Sequence, residues 1–167
     1  MRESDVVQAV AKAMIAGAPG FYEPKRQPSI PGGVLVLLHT LLNNPPDVLV
    51  SLHCDASEKH PPCIHESRIL YRSNDPVSSR REESAALAEM IRGQALLFAE
   101  KSRIMKAPYL REGRYYTPGV LIDRATRAAV LVELGFISDV HVEKAMRTEH
   151  WIAQAAGALT AAIQSYL

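Results

Sequence analysis

The chain has 167 residues, of which 47% are hydrophobic and 22% are charged, and this suffices for one domain with a sizeable buried core. The formal net charge is +1 and no basic stretch is interleaved with aromatic residues, so composition gives no reason to expect binding to nucleic acid or to a membrane surface. We expect no transmembrane helix, because no run of about 18 apolar residues occurs. We expect no signal peptide in this chain, because polar and charged residues follow Met1 directly.

The first third of the sequence predicts a helix, an irregular stretch and a second helix. Over 5–16 the apolar residues recur at the three- and four-residue spacing of an amphipathic helix, and glycines at 17 and 20 close it. The stretch 21–31 carries three prolines, which favours a short edge strand plus a loop. The run 34–42 is apolar without a clear period, and we assign it to a helix because Asn-Asn-Pro-Pro ends it at 43–46.

The middle of the chain begins with a short apolar run, 48–53, that predicts a buried strand ending in His53. A polar loop with two prolines follows over 56–65, and 69–71 fits a short strand. The two cysteines, Cys54 and Cys63, could pair in an oxidising compartment, but they do not make a disulfide framework.

The second half predicts a long helix over 82–101, whose apolar residues form one stripe. We expect an exposed loop rich in tyrosine and arginine over 106–117, then a short strand at 121–122. Two helices, 142–146 and 151–167, end the chain. Helices and strands therefore alternate, which indicates an α/β fold, namely a single domain with a mostly parallel twisted sheet and helices on both faces.

The run 130–139, VLVELGFISD, is the most informative stretch of the sequence. Its first residues are apolar on both faces, as in a strand buried in a parallel sheet, and they lead to one carboxylate, Glu133. In open α/β sheets ligands bind beyond the carboxyl ends of the strands, so we expect His53 and Glu133 to reach the same edge. A histidine there can be a structural residue, whereas a buried carboxylate is costly unless it is paired or catalytic. A hydrolytic zinc ion would use such a histidine as a ligand and such a glutamate as a base.

Three motifs carry a family resemblance. Residues 50–56, VSLHCDA, resemble the V-S-[IL]-H-x-[ND]-A motif of zinc-dependent N-acetylmuramoyl-L-alanine amidases of the AmiA/AmiC and phage-endolysin type. Residues 130–139 resemble the second motif of that family, with Asp139 where Asn is usual, and 2–11, RESDVVQAVA, resemble its first-helix motif. The matches are in the family's order and extend over most of the chain.

The resemblance implies a specific site and substrate. Glu3 and His53 would be metal ligands for Zn²⁺, and Glu133 would be the catalytic carboxylate that activates water. The substrate would be peptidoglycan, cut at the amide between the lactyl group of N-acetylmuramic acid and the L-alanine of the stem peptide. The protein would then act at the cell wall, in the periplasm or outside the cell, by an export route that the chain does not indicate. A protein activator is compatible with this interpretation but is not indicated.

The chain departs from the family at its start. The family pattern begins with a strand ending in Asp-x-Gly-His-Gly-Gly, whose histidine is the first zinc ligand, and the sequence here starts just before Glu3. A shortened gene, a substitute ligand and a loss of catalysis all remain open as explanations. Candidate substitutes are His39, His60, Cys63 and His65.

Two other functions stay open beside the zinc amidase. One is a catalytically inactive amidase-like protein that binds peptidoglycan or regulates an active amidase. The other, from a different class, is a general α/β metallohydrolase that acts on a small amide or peptide.

Overall fold

The computed structural model describes residues 2–18, 20–21, 45–56, 65–111, 114–116 and 120–167. In the described residues, helices and strands alternate along much of the chain, as the sequence predicts. In chain order they are α1 (Glu3–Gly17), β1 (Val48–Asp55), β2 (Glu66–Arg72), α2 (Ser78–Ala95), β3 (Lys101–Ala107), β4 (Tyr109–Arg111), β5 (Arg114–Tyr116), α3 (Val120–Arg124), β6 (Ala128–Phe136), α4 (Val140–Met146) and α5 (Glu149–Tyr166).

The main sheet of the described residues has four strands in the order β1-β6-β2-β3. Strand β1 runs parallel to β6, and β2 runs parallel to β3, while β2 and β6 are antiparallel. The sheet is thus mixed with mostly parallel pairings, and the predicted α/β fold is confirmed. Strands β4 and β5 form a separate antiparallel pair.

Helices cover both faces of the sheet, as predicted. Helices α1, α2 and α5 pack on one face, where every second residue of β6, including Val130, Val132 and Leu134, enters the larger hydrophobic core. On the other face Leu131 of β6 meets Ile122 of the short helix α3 in a smaller cluster. Because side chains alternate along a strand, Glu133 lies on the same face as Leu131 and α3.

The end of β6 is packed closely against the residue that precedes β2. A Cβ atom on Gly135 would overlap Nε2 of His65 and lie 2.6 Å from the terminal methyl carbon of Met146, so the packing favours glycine there. Nε2 of His65 lies 3.0 Å from the carbonyl oxygen of Leu134, and its ring stacks on Trp151 with centroids 5.7 Å apart. Burial lowers the pKa of His65, which matches a neutral ring that donates to that carbonyl.

Several predicted elements differ from the structure. The predicted strand at 121–122 is wrong: these residues belong to α3, a short apolar pair being compatible with either geometry. The predicted loop over 106–117 is wrong where it overlaps β3, β4 and β5. Helix α2 begins four residues before the predicted helix and ends at Ala95, where Phe98 N–H bonds back to the Ala95 carbonyl in a tighter turn.

The predicted elements over 22–44 and the predicted loop over 57–64 lie outside the described residues. No helix among the described residues is long and apolar enough to cross a bilayer.

Candidate active site

Four side chains on the α3 face form one row across the main sheet. His53 of β1 is in register with Glu133 of β6, Glu133 is in register with Arg68 of β2, and Arg68 with Arg103 of β3. Residues in register on neighbouring strands have their side chains on the same face. The structure therefore brings together His53 and Glu133, as the sequence predicts, and continues the row with two arginines.

Glu3 joins this row from the first turn of α1. Its Oε1 atom lies 2.9 Å from Nδ1 of His53 and accepts a hydrogen bond of 3.2 Å from the backbone N–H of Cys54. The amphipathic pattern of α1 buries Val6 and Val10 against the sheet, and this packing directs the start of the helix towards the end of β1. All three residues that the sequence singled out for chemistry thus lie together, towards the carboxyl ends of β1 and β6.

The second ring nitrogen of His53 is also fixed. Its Nε2 atom lies 3.2 Å from the hydroxyl of Ser51, which is two residues earlier on the same face of β1. In the neutral tautomer that carries its proton on Nε2, the ring donates to Ser51 and turns the free electron pair of Nδ1 towards Glu3. That tautomer presents one nitrogen and one carboxylate oxygen to a cation.

Glu133 is the one residue of β6 that is not fully buried, yet its Oε2 atom is inaccessible to solvent and has no hydrogen-bond partner among the described residues. Burial, and then the charges of Asp55 and Glu3, raise the pKa of Glu133 to about 8, against a smaller lowering by Arg68. A carboxyl group without a partner and with a raised pKa is suited to exchange protons near neutral pH.

Arg68 lies beside Glu133 in the row but is bound elsewhere. Its Nε donates to Glu66 over 2.6 Å, its Nη1 donates to Asp55 over 3.3 Å, and its guanidinium lies 4.5 Å from the ring centroid of Phe136. These contacts hold the cation next to Glu133 without giving that carboxylate a hydrogen bond. The sequence pattern does not predict Arg68 as a site residue, because only the antiparallel pairing of β2 with β6 places it there.

The described residues supply part of a zinc site. Glu3 Oε1 and His53 Nδ1 are atoms that zinc binds readily, and at 2.9 Å apart they are close enough to hold one ion. Within the described ranges, however, no group of three or more His, Cys, Asp or Glu residues could hold a metal ion, whereas a catalytic zinc takes three protein ligands. The donor set therefore fits two of the three ligand positions.

The candidate substitute ligands divide into two groups. His65 is excluded, because it is buried in the core and its Nε2 is bonded to the Leu134 carbonyl. His39, His60 and Cys63 lie outside the described residues. Cys54 neighbours His53 but enters the core on the opposite face, and burial, with Glu3 and Glu133, raises its thiol pKa to about 12, which disfavours the thiolate that metals bind.

Residues 38–165 match the family model of the N-acetylmuramoyl-L-alanine amidases. The chain belongs to this amidase family. The match spans both β1 with His53 and β6 with Glu133, so the two strands that build the site lie inside the family's pattern. The members of this family are hydrolases of peptidoglycan. Comparison with curated protein sequences finds no match.

Solved amidase structures share the fold at low sequence identity. The CwlD amidase of Clostridioides difficile, solved in complex with the GerS lipoprotein, superposes with a TM-score of 0.74 at 15% identity, over 99% of this chain and 86% of that chain. The Ami1 amidase of Mycobacterium smegmatis gives 0.76 at 17% identity, over 98% and 76%. The catalytic domain of the CD27L endolysin, which targets C. difficile, gives 0.67 at 14% identity, over 98% and 83%. These similarities establish the fold.

Proposed function

We propose that residues 1–167 form an amidase catalytic domain that hydrolyses peptidoglycan at the amide between N-acetylmuramic acid and L-alanine, with zinc as its cofactor. The observation that carries the proposal is the carboxyl group of Glu133, which lies without a hydrogen-bond partner in the described residues, in register with His53. Membership of the amidase family supplies the substrate class. The protein would act where peptidoglycan is, at the cell wall.

In this proposal Glu3 and His53 hold the zinc ion, together with a ligand from outside the described residues. Zinc bound there would polarise the scissile carbonyl and favour ionisation of water. The hydrogen bonds from Cys54 N–H to Glu3, and between His53 and Ser51, keep the two ligating side chains in place before the metal arrives.

Glu133 moves the proton of the reaction. Its carboxylate takes a proton from the attacking water as the new C–O bond forms at the amide carbon. The same group then gives that proton to the nitrogen of L-alanine as the C–N bond breaks, so the products are the free lactyl carboxylic acid and a stem peptide with a new amino terminus. The raised pKa of Glu133 suits both steps, because the group can lose and regain a proton near neutral pH.

Digestion of purified sacculi tests the proposal. The zinc-supplied protein should release stem peptides whose L-alanine amino group is free, detected by amine labelling and mass spectrometry, and should leave the glycan chains uncut. Glu133→Gln should keep the fold and bound zinc but lose hydrolysis by several orders of magnitude, because the carboxylate acts in the transition state. A wild-type digest with no new alanine amino termini would refute the proposal, and near-normal turnover by Glu133→Gln would remove Glu133 as the base.

One observation favours a second candidate, an inactive amidase-like protein that binds peptidoglycan. The described residues offer two zinc ligands where catalysis uses three. For that candidate, the wild type would sediment with sacculi, hold no zinc and release no peptide.

A further inference from the structure

We infer that Arg103 binds a carboxylate of the peptide part of the substrate, on its second or third residue, and so selects for unamidated stem peptides. The inference rests on the proposed function. It starts from the row of in-register side chains, which runs from His53 and Glu133 to Arg103 at the far strand of the described sheet.

The spacing of the strands sets the length of peptide between the scissile amide and Arg103. Arg103 lies two strands away from Glu133, and neighbouring strands are about 4.8 Å apart, which makes roughly 10 Å across the sheet. An extended peptide advances about 3.3–3.6 Å per residue, so this distance corresponds to two or three residues. A substrate laid across the sheet with its scissile amide at Glu133 therefore brings its second or third residue to Arg103.

Only some of the hydrogen-bond donors of the Arg103 guanidinium are used within the described residues. Its Nη2 donates to both carboxylate oxygens of Glu66, at 2.9 and 2.7 Å, while its Nε and Nη1 have no hydrogen-bond partner in the described part of the chain. Its side chain is 56% exposed, whereas that of Glu66 is 14% exposed. Burial alone would raise the pKa of Glu66, but Arg103 and Arg68 outweigh it and lower the pKa, so the carboxylate that holds Arg103 is charged. Arg103 thus presents free N–H donors from a fixed anchor, as carboxylate recognition requires.

Charge is distributed unequally along the row. The end near the zinc ligands carries the carboxylates of Glu3 and Asp55, which favour a metal ion and repel an anionic peptide. The β3 end has Arg103 and Lys101 exposed on the same face, with Glu66 as the carboxylate between β2 and β3. A negatively charged peptide is therefore favoured in the direction that runs from Glu133 towards β3.

The test uses two muramyl tripeptides that differ only in charge. In one the carboxylates of the second and third residues are free, and in the other both are amidated. Dissociation constants and kcat/KM are measured for the wild type, Arg103→Gln and Arg103→Lys, each checked for folding by circular dichroism. The matched control is Arg147→Gln, because Arg147 is also 56% exposed and is also paired with a carboxylate, that of Glu143, but lies after α4, away from the row.

We expect the wild type to bind and cleave the free-acid peptide about tenfold better than the amide, since one charge-assisted hydrogen bond is at stake. Arg103→Gln should reduce this ratio to about one, Arg103→Lys should keep part of it, and Arg147→Gln should keep all of it. A wild type that cleaves both peptides equally, or an Arg103→Gln that still discriminates, overturns the inference and leaves the amidase function standing. Discrimination in binding that depends on Arg103, without any hydrolysis, would uphold the inference and overturn the proposed function.

Discussion

Replacing Glu133 by Gln should change how the stability of the metal-free protein depends on pH. The wild-type carboxyl has its pKa raised from 4.5 to about 8 by burial and by Asp55 and Glu3. Between these two values the folded state holds a proton that the unfolded state has released. The contribution of Glu133 to the free energy of unfolding is therefore fully present below pH 4.5 and is lost as the pH rises towards about 8. A full proton difference changes the free energy of unfolding by about 1.36 kcal/mol per pH unit. From pH 5 to pH 7 the wild type should therefore lose about 3 kcal/mol relative to Glu133→Gln.

Urea unfolding of the two proteins, in EDTA at half-unit steps from pH 5 to pH 7, measures this difference directly. Other titrating groups are common to both proteins and cancel in the comparison. Glu133→Asp serves as the matched control, because it keeps a carboxyl group at the site and should follow the wild type. Parallel stability curves for the wild type and Glu133→Gln would refute the claim that Glu133 is buried without a partner.

Three further substitutions test individual contacts. Ser51→Ala should weaken zinc binding by about tenfold while leaving the fold intact, because it removes the partner of His53 Nε2; unchanged affinity by competitive chelator titration would exclude this role. Gly135→Ala should cost about 2–3 kcal/mol in urea unfolding, since its Cβ would overlap His65 and Met146, and a stability equal to wild type would contradict the packing. His65→Gln should reduce the loss of stability as the pH falls below about 6.5. The wild-type ring is buried with a lowered pKa, so the unfolded state binds a proton that the folded state does not. If the free energy of unfolding of that variant falls with acid as steeply as that of the wild type, His65 is not the titrating group.

The two strands that hold the site could be predicted because their sequences are unambiguous. Residues 48–53 and 130–134 are too short for helices and largely apolar on both faces, and each carries one ionisable side chain towards its carboxyl end. His53 and Glu133 follow from that pattern alone, and the structure pairs them in register. The family motifs added Glu3, whose contact with His53 joins the first helix to β1.

The other half of the row could not be predicted, for reasons that are physical. Strand β3 alternates Lys101 and Arg103 with smaller or apolar residues, and at the edge of the described sheet such a strand resembles an exposed loop. The position of Arg68 beside Glu133 depends on the antiparallel pairing of β2 and β6, which is a long-range choice that no local period encodes. The sequence predicts a strand where the short helix α3 lies, because two adjacent apolar residues define no period.

The zinc content of the folded protein tests directly whether Glu3 and His53 form a catalytic metal centre beside Glu133. The measurement is elemental analysis after exhaustive dialysis, on the wild type and on His53→Ala, with folding checked by circular dichroism. We expect about one zinc per wild-type chain and none in His53→Ala. A folded wild-type chain without zinc, or full occupancy in His53→Ala, would contradict it.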